Sequence, residues 1–126
     1  ARYTNRVAGE LGLVPKIYLE VNIGEEESKH GFFADDLRSG LEEILTFENL
    51  SLQGLMCIPP KVEKPEDARP WFAKVRELRD ELEVRGAIQL PGLSMGMSGD
   101  FEGAIEEGST IVRVGSVIFG PRLNRI

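Results

Sequence analysis

The apolar positions along the chain switch repeatedly between two spacings. Short runs rich in β-branched residues alternate with stripes three and four residues apart, the periods of strand and helix. Residues 1–12 read as a short helix stopped at Gly12. Lys16 to Ile23 (KIYLEVNI) predicts a strand, and Gly24 to Gly31 a polar loop. Phe33, Leu37, Leu41, Ile44 and Leu45 then share one helical face, with Asp35 and Asp36 in a first turn where negative charge suits the dipole. Leu50 to Ile58 (LSLQGLMCI) predicts the next strand, ended by Pro59 and Pro60, which have no N–H for a ladder. Ala68, Trp71, Phe72, Val75, Leu78 and Leu82 mark a second helix that runs to about Arg85. Pro70 fits only its first turn, so Asp67 is the expected cap. Gln89 to Met95 (QLPGLSM) predicts a third, short strand. Ser98 to about Glu107 predicts a helix stopped by Gly108. Thr110 to Val114 (TIVRV) predicts a fourth strand, and Gly115 to Phe119 a last turn or helix.

The pattern amounts to about four β-α units in a single domain, residues 1–126, with no linker between them. Strands separated by helices run parallel, with right-handed crossovers. Two α/β architectures fit: a small doubly wound sheet, or part of a (β/α)8 barrel. A full barrel takes about 250 residues, twice this length. In either case ligands bind at the carboxyl ends of the strands.

Composition narrows the function classes. Fifteen Lys and Arg against 21 Asp and Glu leave a net charge of −6. That balance disfavours nucleic acid and anionic membrane surfaces as partners. No apolar run approaches the roughly 20 residues of a membrane span, and no signal peptide opens the chain, so a cytoplasmic location is expected. One Cys and one His exclude an internal disulfide and the usual zinc sites, and no metal site is expected.

Two strand ends carry candidate chemistry. In LSMGMSGDF the third strand exits through Gly96, and Ser98 opens the expected helix. There Ser98 is either a plain N-cap or part of an anion site built from free helical N–H groups. In VRVGS the fourth strand ends in Gly115 and Ser116. Two such ends side by side can hold one phosphate, as the last two strands of a barrel do. Arg113 stands inside an apolar strand. It must be paired with a carboxylate or face a ligand inside a barrel. His30 and the run Glu25-Glu26-Glu27 read as solvated loop, and Cys57 as a core thiol.

The stretch LSMGMSGDFEGAIEEGSTIVRVGSVIFGPR closely resembles the C-terminal signature of the YggS/PROSC family. The likeness extends back through EVNIGEEESKHGF, GLMCIPP and ARPWFAKVRELRDEL. These are pyridoxal 5′-phosphate (PLP) homeostasis proteins with an alanine racemase-like barrel. The resemblance implies the C-terminal half of a (β/α)8 TIM-type barrel, with PLP as cofactor at the strand ends. It implies that Met97 and Ser98 hold one side of the phosphate, and that Gly115 and Ser116 hold the other, with Ser116 where many relatives have Thr. Arg113 matches the residue beside the pyridine nitrogen. A guanidinium cannot release its proton there, which suits a carrier better than a broad catalyst. The lysine that bonds the PLP aldehyde belongs to a first strand absent from this chain. None of Lys16, Lys29, Lys61, Lys64 or Lys74 replaces it, and Lys29 reads as a rim residue. No catalytic residue is therefore assigned. A racemase-like enzyme and a non-catalytic half-barrel assembly module are the rival readings. Expected partners are PLP and either a second copy or the missing N-terminal half of the barrel.

Overall fold

The computed structural model describes residues 1–115. The elements follow in chain order: α1 (Arg2–Glu10), β1 (Lys16–Val21), α2 (Ala34–Leu45), β2 (Ser51–Cys57), a 3-10 turn (Pro65–Ala68), α3 (Arg69–Gly86), β3 (Gly92–Met97), α4 (Phe101–Glu106) and β4 (Ile111–Arg113). The four strands form one parallel sheet in the order β1-β2-β3-β4. That order decides between the two architectures. A doubly wound sheet reverses its strand order at a switch point, whereas a barrel adds each strand beside the last. Here every strand lies beside its predecessor, as in an arc of a barrel wall.

The pleat sorts residues between two faces. Leu19, Val21, Leu55, Cys57, Leu93 and Met95 form one core with Leu37 and Leu41 of α2, Phe72, Val75, Leu78 and Leu82 of α3, and Ala104 of α4. Each Leu, Val, Phe or Met side chain fully buried here stabilises by roughly 1.5–3 kcal/mol. The opposite face, which lines the interior in a closed barrel, carries Tyr18, Glu20, Met56 and Ser94, all half-buried, and two glycines. Tyr18, Gly54 and Gly92 share one register row across three strands. The Tyr18 ring lies against Gly92, and a Cβ there would stand 2.5 Å from Cε2 and 2.7 Å from Cζ. At Gly54 a Cβ would meet the Gly92 carbonyl.

Strand ends shift by one or two residues in β1, β2 and β4, and larger differences arise in three elements, each for a local reason. The second long helix is capped at Ala68 rather than Asp67, because Pro65–Ala68 coil into a 3-10 turn first. β3 begins at Gly92, not Gln89. Leu90 is held to α3 instead, its N–H donating to Glu83 Oε2 at 2.8 Å and its carbonyl accepting from Arg79 at 3.1 Å. Pro91 then brings no N–H to the ladder. At its other end β3 runs through Gly96 (φ +104) to Met97, with an irregular step between Ser94 and Met97. Helix α4 is six residues long and starts at Phe101, because Ser98–Asp100 form a turn. Ser98 is therefore not its N-cap.

Candidate functional site at the strand ends

β1 leads into the loop 24–31 through Asn22, which is 4% exposed. Its side chain replaces missing backbone partners. Nδ2 donates to the Glu26 carbonyl at 2.6 Å, and Oδ1 accepts the Glu26 N–H at 3.0 Å. The loop then returns along the outer edge of β1: Phe32 N–H donates to Glu20 O and Asn22 N–H to Phe32 O, both at 2.8 Å. Lys29 pins the loop to the end of β2. Its Nζ donates to the Pro59 carbonyl at 3.1 Å and pairs with Glu26 at 2.9 Å. A rim brace was expected of Lys29, and its contacts are those of one. Glu26 is likewise held in the loop, while Glu25, Glu27 and His30 are exposed.

The ends of β3 and β4 meet. Met97 stands in register with Arg113, so Ser98 follows one strand end and Gly115 the next. Met97 is exposed, Ser98 is half-buried, and a Cβ at Gly99 or Gly115 would meet nothing within 4 Å among the described residues. Ser116 lies outside the described residues. The Met97 N–H donates to Asp100 Oδ1 at 2.7 Å, while the Asp100 N–H donates to the Met97 carbonyl at 3.1 Å. A cleft of about 420 Å³ opens beside this turn, walled by Ile58, Pro59 and Met97, with Lys29, Lys61 and Asp100 among its polar lining.

Arg113 answers the question its sequence position raised. No carboxylate pairs with it among the described residues. Its Nη2 reaches across β3 to donate to the Cys57 carbonyl at 3.2 Å, and its Nε is buried with no hydrogen-bond partner among the described residues. A buried, unsatisfied donor on a charged group calls for an acceptor that a ligand can supply. Burial pushes the Cys57 thiol up to about 12. Arg113 and Lys29 pull it down, and Asp100 adds to the rise. That thiol is a packing group at neutral pH, as expected.

Sequence reasoning missed Asn22 and the grip of Asp100 on Met97. A short amide residue directly after a strand and an Asp three residues after a strand end were the available signals. Among the described residues no cluster of His, Cys, Asp and Glu could hold a metal ion, and no helix is long and apolar enough to cross a membrane.

Residues 1–122 match the alanine racemase N-terminal domain. The chain belongs to that family. Among curated relatives it is 53% identical over 110 residues to the pyridoxal phosphate homeostasis protein of Aquifex aeolicus, covering 87% of this chain and 48% of the relative. It is 42% identical over 112 residues to the protein of the same name from Pseudomonas aeruginosa, covering 88% and 47%. The structure of PipY from Synechococcus elongatus with PLP bound superposes with a TM-score of 0.81 at 35% identity, over 92% of this chain and 54% of that one. Alanine racemase of Clostridium difficile 630 shares the fold, with a TM-score of 0.73 at 14% identity over 95% of this chain and 31% of that one. The chain thus spans about half the length of the curated relatives it matches.

Proposed function

We propose that this chain forms part of a PLP-binding barrel that serves PLP homeostasis, holding and delivering the cofactor rather than turning over a substrate. The observation that carries this reading is Arg113. It is a guanidinium with a buried N–H that has no partner among the described residues, set in register with Met97 where two strand ends meet. The resemblance of these residues to those of the PLP homeostasis proteins supports the same reading, as do the relatives' names.

The chain's residues fit the group. Ser98 and Ser116 would offer hydroxyls to the phosphate, with the backbone at Met97 and Gly115 beside them. Gly99 and Gly115 would leave room for its oxygens. Arg113 would direct N–H donors at the pyridine nitrogen. Since the guanidinium does not release its proton, the ring nitrogen would accept a hydrogen bond and stay unprotonated. When bound, PLP supplies a reactive aldehyde and an electron-accepting ring. Neither tyrosine stands at the strand ends: Tyr3 is in α1, and Tyr18 is the third residue of β1.

The 126-residue polypeptide on its own is expected to associate, with itself or with the remaining part of a barrel. Parallel edges and the face bearing Tyr18, Glu20, Met56 and Ser94 need cover that four strands do not provide. Sedimentation as a stable monomer would count against association. Titration with PLP tests the site. Ser98→Ala and Ser116→Ala are each expected to weaken binding by about 1–3 kcal/mol, the worth of a charge-assisted hydrogen bond. Unchanged affinity in both variants would remove the assignment.

A further inference from the structure

Asp100 closes the turn after β3 at both ends. Its carboxylate accepts the Met97 N–H at 2.7 Å, and its own N–H donates to the Met97 carbonyl at 3.1 Å. The Met97 amide belongs to the phosphate site proposed above, and the inference rests on that reading. Asp100 also borders the strand-end cleft with Lys29, and its charge reaches Cys57 together with those of Lys29 and Arg113. It is therefore a negative charge at a cleft that also holds Lys29, Lys61 and Glu63, on the donor an entering anion would want.

We propose that Asp100 is an internal stand-in anion: it occupies the Met97 amide in the free protein and must yield it when a phosphate enters. One N–H cannot serve two anions fully, and a carboxylate beside a phosphate dianion repels it. Asp100 thus satisfies the turn whenever no phosphate is bound and limits the affinity for phosphorylated ligands. In a protein that delivers its cargo, that limit favours release. Asp100 is a specificity-determining positioning residue, not a catalytic one.

Asp100→Asn separates charge from shape, because the amide oxygen still accepts from Met97. In the full chain, as it assembles in solution, the variant is expected to bind PLP and inorganic phosphate about three- to thirtyfold more tightly. Pyridoxal, which lacks the phosphate, is expected to bind as it does to the parent. Ser98→Ala serves as the reference. If Ser98→Ala weakens PLP binding while Asp100→Asn leaves it unchanged or weaker, the site stands and the stand-in role falls. Equal tightening of PLP and pyridoxal also overturns the role, since it would not act through phosphate. If neither variant changes PLP affinity, the site reading itself falls. Should Asp100→Asn fail to fold, the parent protein gives the answer. The Asp100 carboxyl carbon resonance is expected to shift on addition of phosphate and not of chloride, and a resonance that stays fixed refutes the exchange.

Discussion

Replacing Arg113 by Met distinguishes a ligand-facing guanidinium from a structural one. The substitution removes one charged hydrogen bond, to the Cys57 carbonyl at 3.2 Å, and one buried N–H that has no partner. The bond is worth about 1.5–3 kcal/mol, and the orphaned donor costs about 1–3 kcal/mol, so the two nearly cancel. Met also refills most of the apolar stem. The expected loss of stability is within about 1 kcal/mol, or roughly 5 °C in thermal midpoint for a domain of this size. A buried ion pair broken at one end would instead cost about 3–5 kcal/mol. Calorimetry of the ligand-free protein measures the first quantity, and a PLP titration followed by absorbance measures the second. The expected result is a nearly unchanged midpoint with a weakened and spectrally altered PLP complex. A midpoint lower by well over 10 °C, with the PLP spectrum and affinity intact, would refute the reasoning.

The glycine row gives a graded prediction. Gly54→Ala is expected to cost more than Gly92→Ala, because its Cβ meets backbone and the other meets the movable Tyr18 ring, and Tyr18→Ala should rescue only Gly92→Ala in chemical denaturation. Acid titration tests the brace between α3 and α4, where Glu107 pairs with Arg69 at 2.8 Å and with Arg76. The Arg69 hydrogen bond holds the Glu107 carboxyl below its ordinary 4.5, partial burial opposes that, and Arg76 adds to the lowering. A folded value below the unfolded one contributes stability that is present above about pH 4.5 and lost as pH falls through the folded value. Glu107→Gln should therefore lower the midpoint by a few degrees near neutrality and flatten its decline below about pH 4.5. An equally steep acid limb in the variant would count against this. Cys57, its thiol at about 12, should resist iodoacetamide at pH 8 until the protein unfolds, in the parent and in Arg113→Met alike; rapid labelling of native protein by mass spectrometry would contradict its burial.

The strands β1 and β2 were legible because their residues are β-branched or large and apolar, and prolines close the second. The long α3 was legible from one unbroken stripe. β3 was harder to place. Its ladder includes Gly92 and Gly96, residues that propensity assigns to turns, and Leu90 prefers partners on α3 that lie seven and eleven residues away. α4 was overextended because a carboxylate three residues beyond a strand end can close a turn before a helix begins, and nothing in spacing alone marks that choice. Arg113 announced itself as a charge in an apolar strand. Its acceptor could not be read, since a carbonyl 56 residues earlier has no sequence signature. Alternation along the strands leaves the two faces of the sheet open to either parity, and the packing of Leu19, Val21 and Leu55 against the helices settles it.

The return of Phe32 along β1 bears on how such a sheet can propagate. A parallel sheet with two bare margins is a template for endless lateral growth, copy after copy, as in a fibre. Phe32 takes the outward Glu20 carbonyl and Asn22 N–H, so an incoming strand finds only the earlier part of β1 to grip. The opposite margin, β4, is three residues long. Head-to-tail stacking of such units would thus rest on a short overlap at every joint. A lateral polymer of such units would have to live on those few hydrogen bonds alone.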